Sequence, residues 1–346
     1  MSFVDELKSA VTPRAALLVV GVFALQLLFI TSYVGALHNP KPVDVPFGVV
    51  APQQQIATAL NDRLGKLPGD PLDPRVVADE AEARDQIMNR EIDGALIVDP
   101  RGRTDTLLVA SGGGKVLSAT LEAMITKLEA ANQRLVRTVD LAPSSSQDFN
   151  GLSAFYLVIG WCVGGYICAA ILAISAGSRP ANRERALIRL GALALYAALG
   201  GLGGAIIVGP ILGALPGSVA ALWGLGTLVV FAVGAATLAL QSVFGIVGIG
   251  LAILLIVIAG NPSAGGAFPL PMLPPFWRAI GPYLPPGAGT WAARSIAYFK
   301  GNDMTASMVI LSVWAIVGTA VTLVLSSVKR HPKAERIARE AGEPRA

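Results

Sequence analysis

The chain has 346 residues, of which 53% are hydrophobic and only 14% are charged, and its net charge is +4. An ordinary soluble domain carries about 25% charged residues. Residues 191–277 form a run of 87 residues without Asp, Glu, Lys or Arg, several times the roughly 20 apolar residues with which one helix crosses a bilayer. The composition therefore excludes an ordinary soluble protein and predicts a polytopic α-helical membrane protein embedded in a lipid bilayer, with no nucleic-acid partner.

Hydrophobic runs predict six transmembrane helices. They cover approximately residues 15–36, 153–176, 187–209, 218–241, 243–260 and 305–327. No charge marks the boundary between the fourth and fifth helices near Gln241-Ser242, and one long hairpin is the alternative there. For the first run, a cleaved signal peptide is the alternative, since Val34-Gly-Ala36 resembles a cleavage site. The apolar stretch of about 20 residues is longer than the usual 7–15 of a signal peptide and favours an uncleaved anchor.

The predicted helices divide the chain into four parts. They are a cytoplasmic N-terminus with helix 1 at 1–37, an extracytoplasmic α+β domain at 38–150, helices 2–6 at 151–328 with a Pro/Gly-rich outer segment at 261–303, and a basic cytoplasmic tail at 329–346. Basic residues set the orientation, because Lys and Arg accumulate in short cytoplasmic loops. Three groups of basic residues lie on one side of the membrane only if six helices cross it in alternating directions. These groups are Lys8 and Arg14, the arginines between helices 2 and 3, and the basic tail. Both termini are then cytoplasmic.

The 38–150 segment reads as an α+β domain between helices 1 and 2. We expect strands near 45–51, 92–99 and 104–110, and helices near 53–66, 78–90 and 115–137. The stretch Ser111-Gly-Gly-Gly-Lys115 lacks the first Gly and the final Ser or Thr of a phosphate loop, so it indicates a flexible turn. No nucleophile, base and orienting partner occur together, and no ATP-binding motif is present. The sequence predicts no enzyme, no bound metal and no cofactor in this chain.

The 261–303 segment has too many prolines for a continuous helix. We expect short broken or re-entrant elements at the outer interface, where the aromatic residues suit a belt at the level of the lipid headgroups. These aromatic residues are Phe268, Phe276, Trp277, Tyr283, Trp291 and Tyr298. A passive cap and a gate are both compatible with this pattern. The residues predicted for an outer gate are Asn261, Pro262, Gly265, Gly266, Trp277, Pro282, Tyr283 and Pro285.

The arrangement of one helix, a large external domain and five further helices resembles the ABC type-2 exporter permeases. The stretch 261–285, which begins Asn-Pro-Ser-Ala-Gly-Gly and ends Gly-Pro-Tyr-Leu-Pro, is similar to the phage infection protein (Pip-like) branch of that superfamily. The stretch Glu80-Ala-Glu-Ala-Arg84 followed by Ile92-Asp-Gly-Ala-Leu-Ile-Val98 is similar to an external helix–strand unit of these permeases.

The resemblance implies a permease subunit in a bacterial cytoplasmic membrane. It would move an amphipathic or lipid-like substrate outward, as a homodimer or with a related permease, and ATP would act only through a separate ATP-binding subunit. The resemblance places the docking loop for that subunit between helices 2 and 3. Its arginines are Arg179, Arg183, Arg185 and Arg189, for which a positive-inside topology signal is the alternative.

Two other functions fit the sequence. One is a non-transporting cell-envelope scaffold or receptor that presents its external domain to a partner. The other is an ion-coupled carrier, which the absence of carboxylates, His and Lys from the predicted helices disfavours.

Overall fold

The structure, a computed structural model, describes residues 12–177, 182–245 and 247–328. Lys8, Arg179 and the basic tail at 329–346 lie outside the described residues. The first helix, α1, covers Pro13–Leu37 and leads into a domain with one five-stranded sheet, here called the sheet domain (residues 45–140).

The sheet domain alternates strands and helices. In chain order the elements are β1 Val45–Val50, α2 Gln54–Leu64, β2 Leu72–Val76, α3 Glu80–Met88, β3 Gly94–Ile97, β4 Thr104–Val109, α4 Lys115–Ala131 and β5 Leu135–Asp140. The strand order is β2-β1-β3-β4-β5, and only the β3–β4 pair is antiparallel. Parallel neighbours need crossover connections, so the domain is built from the βαβ units of an α/β protein. The α+β arrangement predicted from the sequence is wrong in this respect.

Two strands were absent from the sequence prediction. Strand β2 contains Pro74 and lies at the edge of the sheet, where a missing N–H donor is tolerated. The helix predicted over 115–137 ends at Ala131, because Gln133 takes a left-handed conformation with φ 57°. The chain then continues as β5, parallel to β4.

Helices dominate the rest of the chain. They are α5 Ser153–Ala176, α6 Arg183–Ile206, α7 Val219–Phe244, α8 Val247–Ser263, α9 Pro275–Ile280, α10 Pro285–Tyr298 and α11 Thr305–Val328. Among the described residues, five helices are long and apolar enough to cross a membrane, namely α1, α5, α6, α7 and α11, while α8 is shorter. The chain is a multi-pass helical membrane protein.

Helix α7 lies at the centre of the helical part and is the most buried of the five spans. Glycines on its neighbours let their backbones approach it closely. A Cβ atom on Gly165 of α5 would lie 2.6 Å from the Val230 carbonyl oxygen, and one on Gly318 of α11 would lie 2.6 Å from Ala235. Packing of this kind holds helices together in lipid, where apolar side chains gain little by leaving the bilayer.

The break between α7 and α8 lies at Gly245, a few residues after the predicted position near Gln241. Gly245 adopts φ 66°, which favours glycine. Helix α8 then folds back beside α7, with Gly248 against the main chain of Leu240 and Gln241. Residues Leu254–Gly260 of α8 are π-helical. The carbonyls of Val257 and Ile258 accept hydrogen bonds from Tyr33 and Ser32 of α1.

The prolines break the 261–303 segment as expected as far as residue 284. Short turns at Leu270–Met272 and Gly281–Tyr283 flank α9. The 14-residue helix α10 was not predicted. Its prolines, Pro285 and Pro286, lie in its first turn. A backbone N–H there makes no hydrogen bond within the helix, so a proline can replace it without loss.

Adjacent glycines on α6 provide a direct test of this packing. A Cβ atom on Gly201 would lie 2.6 Å from the Thr227 nitrogen of α7, whereas one on Gly200 would meet nothing within 4 Å. We expect Gly201→Ala to destabilise the protein by about 1–3 kcal/mol through overpacking. Gly200→Ala should be neutral or stabilising, because alanine favours a helix by roughly 0.5–1 kcal/mol over glycine. Thermal unfolding in a mild detergent measures both, and equal melting temperatures would contradict the packing argument.

Candidate functional site

The sheet domain is packed directly against the helices through the loop between β4 and α4. A Cβ atom on Gly112 would lie 2.4 Å from Tyr298, and one on Gly114 would lie 2.1 Å from Pro269. Only glycine fits at these two positions without displacing the contacts. The stretch Ser111–Lys115 is therefore a close-packing loop, which agrees with its failure to match a phosphate loop.

Arg90 links the sheet domain to α10. It follows α3 in a left-handed conformation with φ 62°, and its Nη1 donates to the Trp291 carbonyl at 2.9 Å and to Ser295 Oγ at 2.7 Å. Its guanidinium carbon lies 3.3 Å from the centre of the Trp291 ring, a cation–π geometry. Burial, together with repulsion from Arg294, lowers the pKa of Arg90 to about 9, so it remains charged at neutral pH.

Arg294 of α10 holds the first part of the Pro/Gly-rich segment, at Gly265 and Gly266, in place. Its Nη1 donates to the Gly265 carbonyl at 2.7 Å, and its Nη2 donates to the carbonyls of Gly266 at 2.8 Å and Gly151 at 3.3 Å. The residue is only 4% exposed. Burial lowers its pKa to about 10, which still leaves the guanidinium charged at neutral pH. Within the described part of the chain, neither Arg90 nor Arg294 has a carboxylate within 4.0 Å.

A cavity of about 580 Å³ lies between the sheet domain, the Pro/Gly-rich segment, α10 and the first turns of α11. Most of its wall is apolar. The charged side chains in the wall are Arg90, Asp93, Arg294 and Asp303. Its volume falls within the range of ligand-binding cavities, and an apolar wall with a few polar groups is typical of such sites.

Asp93 is the least satisfied charged group of this cavity. Its backbone N–H donates to the Pro46 carbonyl, but among the described residues no donor makes a hydrogen bond to its carboxylate. Burial raises the pKa of Asp93 to about 6, although attraction to Arg90 opposes the shift. A carboxyl group in this position can change its charge near physiological pH.

The cavity borders the apolar outer surface of the last helix. Tyr283 and Val309 line it and are 65% and 55% exposed. From Val309 the exposed apolar face of α11 continues through Val313 and Ile316, at the i, i+4 and i+7 spacing of one helix face. The cavity is thus continuous with a surface that faces lipid in a membrane-spanning helix.

The predicted outer-gate residues are distributed around this cavity. Gly265, Pro282 and Tyr283 line it, and Gly266 supports it through the carbonyl that accepts from Arg294. The remaining four do not line it. Asn261 donates a hydrogen bond to Tyr33 of α1, and the neighbouring Pro262 is buried. Trp277 contacts the ring of Phe276 edge-on, and Pro285 is the first residue of α10.

The arginines predicted for a docking loop differ in exposure. Arg183 and Arg185 are exposed at the beginning of α6, where Asn182 caps the helix. Arg189 is 4% exposed and donates to the Gly177 carbonyl, so it belongs to the packed interior. Arg179 lies outside the described residues.

Sequence reasoning missed the residues that form the cavity. Arg90 and Asp93 resemble ordinary surface charges of a helix–strand connection, and only the fold brings them to α10. Arg294 offered a signal, since it is the single charged residue in 285–298, among small residues. Trp291 and Tyr298, predicted for an interfacial belt, instead contact the sheet domain.

Comparisons with protein-family models, with characterised proteins and with solved structures found no match to this chain. Among the described residues, no group of three or more His, Cys, Asp or Glu side chains could hold a metal ion. The two cysteines of the chain, Cys162 and Cys168, are free thiols.

The carboxyl group of Asp93 should make stability depend on pH. Its pKa rises from 3.8 in the unfolded chain to about 6 in the folded protein, so the folded state binds more protons between these values. Stability from this group is therefore present at low pH and is lost as the pH rises from about 4 to about 6. We expect Asp93→Asn to match the wild type at pH 4 and to melt about 2–4 °C higher at pH 7.

Differential scanning fluorimetry of both proteins across pH 4–7 measures this difference, and the comparison cancels the titration of all other groups. Asp99→Asn is the control, since Asp99 is an exposed residue of the same domain. A melting-temperature difference that does not change with pH would contradict a partly buried Asp93 that ionises between pH 4 and 7.

Proposed function

We propose that this chain is the permease subunit of an ABC-type exporter, which moves an amphipathic or lipid-like substrate outward with a separate ATP-binding subunit. The observation that carries the proposal is the cavity at the junction of the sheet domain and α11. Its apolar wall can hold a hydrocarbon chain, its arginines can donate hydrogen bonds to a polar group, and its edge continues into a lipid-facing helix surface. A water-soluble substrate would not need a cavity that opens onto a lipid-facing surface.

The proposed topology has six crossings, with α8 as the fifth. In support of this, α7 begins near α10, since Gly217 lies against Ile296, and α8 returns to the level of Ser32 and Tyr33 near the end of α1. Helix α7 thus runs from the end of the helical part near α10 towards the opposite end, and α8 runs back. The distribution of basic residues supports the remaining part of the proposal, in which both termini lie in the cytoplasm of a bacterial cell and the sheet domain lies outside.

The proposed ATPase-docking surface is the exposed beginning of α6 at Arg183 and Arg185. Helix α6 has 24 residues and is therefore about 36 Å long. Beyond its other end, the Gly213 carbonyl accepts a hydrogen bond from Ser145, in the linker that follows the sheet domain. The two arginines consequently lie at the opposite end of the helical part from the sheet domain, where a cytoplasmic subunit would bind.

The proposed mechanism is conformational and involves no covalent chemistry in this chain. Movement of α6 would reach α7 through their glycine contact at Gly201, and α11 also packs on α7. A shift of α11 relative to the fixed sheet domain and α10 would widen or close the cavity beside Val309. The outer-gate role of Pro282 and Tyr283 is part of this proposal.

One observation favours the scaffold or receptor alternative. The outer face of α4 is unpartnered in the described structure and forms a groove with Phe149, which is 79% exposed, and Val116, which is 38% exposed. An exposed apolar surface of this kind is common at protein-binding sites. The same purification experiment distinguishes the two functions.

The test is purification of the tagged full-length protein from its native membrane in a mild detergent, followed by mass spectrometry of the bound proteins. We expect a stoichiometric ATP-binding subunit with the wild type. The double variant Arg183→Ala/Arg185→Ala should retain about tenfold less, because two charges of the docking surface are lost. Arg189 is left unchanged, since its removal would disturb the packed interior.

The matched control is Arg75→Ala/Arg84→Ala, which removes two exposed arginines from the sheet domain and should retain the ATP-binding subunit fully. Recovery of the wild type without any ATP-binding subunit would contradict the permease. If envelope proteins are bound instead, and their binding is lost with Phe149→Ser, the scaffold function is correct.

A further inference from the structure

We propose that the cavity recognises the anionic headgroup of its amphiphile, with Arg90 and Arg294 as the binding groups and the hydrocarbon chain leaving past Tyr283 along α11. This inference rests on the proposed function, because it assigns the substrate class of the same site. It is independent of how transport is powered.

The two guanidinium groups are charged, but among the described residues no carboxylate lies within 4.0 Å of either one. Arg90 uses only Nη1 among its donor nitrogens, and both its acceptors, a carbonyl and a hydroxyl, are neutral. Arg294 donates to three neutral carbonyls, while its Nε makes no hydrogen bond among the described residues. A guanidinium carries five N–H donors, so each retains donors for a ligand. Removing such charges from water without a counter-ion is costly, and an anionic ligand would offset that cost.

The two carboxylates in the wall do not neutralise the arginines equally. Asp303 is exposed at the edge and already accepts the indole N–H of Trp291 at 3.2 Å. Asp93 lies in the inner part, and although burial raises its pKa to about 6, it is mostly ionised at pH 7. Two guanidinium groups face this one carboxylate, so the inner part of the cavity keeps an excess of positive charge at neutral pH, which ionised Asp93 reduces.

The cavity also limits how the ligand is placed. About 580 Å³ accommodates a headgroup and the first part of a chain but not a complete two-chain lipid, so the remaining chain must leave. The apolar exit lies between Tyr283 and Val309, both exposed. The Trp314 indole of α11 donates to the Tyr283 carbonyl at 2.9 Å, which fixes one side of this exit to the helix along which the chain would lie.

The experiment compares three surfactants with the same 12-carbon chain. The full-length protein, purified in a neutral maltoside detergent, is equilibrated with dodecyl phosphate, dodecylphosphocholine or dodecanol, and bound ligand is counted by mass spectrometry after gel filtration. We expect dodecyl phosphate to bind at least about tenfold more tightly than the other two, which corresponds to about 1.4 kcal/mol. Equal binding of all three would overturn the inference.

Two substitutions localise the binding. Asp93→Asn removes a negative charge without removing a hydrogen bond and should tighten dodecyl phosphate binding about three- to tenfold, with no change for dodecanol. Ser307→Trp places a large side chain in the cavity wall and should abolish binding, whereas Leu195→Trp, on an exposed face of α6 that does not line the cavity, should leave it intact. Unchanged affinity in Asp93→Asn would show that the headgroup binds elsewhere and would overturn the inference, and melting temperatures identify any variant that fails to fold.

The result is separable from that of the proposed function. If the wild type is purified without an ATP-binding subunit but still binds dodecyl phosphate selectively, the exporter function is contradicted and the anion site is supported. If it is purified with an ATP-binding subunit but binds all three surfactants equally, the exporter function is supported and headgroup recognition is contradicted.

Discussion

The rest of this structure depends on two guanidinium groups, partly buried Arg90 and buried Arg294, which attach the sheet domain and the Pro/Gly-rich segment to α10. Arg90 fixes the connection after α3 to α10, and Arg294 fixes α10 to the Pro/Gly-rich segment and to the start of α5. Hydrogen bonds from charged donors are roughly twice as strong as neutral ones. Because four of these five bonds end on the backbone, they set the position of whole segments and so define the shape of the cavity between them.

A second principle governs the helices, where glycines bring backbones into contact beside a core of large side chains such as Trp161 and Leu222. The neighbours of α7 reach its backbone at Gly165, Gly201 and Gly318. The helices therefore contact one another partly through small residues, whereas hydrogen bonds from charged donors hold the sheet domain in place. This division suits a protein whose helices move while its binding groups keep their geometry, and it links the packing of the described helices to the conformational mechanism proposed above.

The sequence predicted some of these features and not others, for physical reasons. Long apolar runs identify α5, α6, α7 and α11 directly, because the bilayer imposes a length on each. Strand β2 was missed because Pro74 argues against a strand unless it lies at an edge, and edge position is a property of the folded sheet. Helix α10 was missed because it begins with two prolines, and their favourable place in its first turn depends on where the helix begins.

The cavity was the least predictable part, since it joins residues about 200 positions apart. Arg90 and Asp93 follow a short helix in the sheet domain, and nothing near them in sequence indicates Trp291 or Ser295. Of the outer-gate residues predicted from the 261–285 stretch, Gly265, Pro282 and Tyr283 line the cavity, whereas Asn261 and Trp277 do not. Local pattern identified a segment that forms part of the cavity wall, but it could not show which of its side chains face the sheet domain.

The chain order of the contacts to α10 has a consequence for biogenesis. The last strand of the sheet domain ends at Asp140, whereas Pro269 and Tyr298, the partners of the close-packing loop Ser111–Lys115, emerge from the ribosome well over 100 residues later. At a synthesis rate of about 5–20 residues per second, the close-packing loop and Arg90 stay uncovered for many seconds. During this interval the domain has nothing to attach to, and Met272 and Phe299, which complete its two apolar clusters, are still missing. Final assembly must therefore wait for the C-terminal third of the chain, and translation that stops before α10 leaves the sheet domain without its anchor.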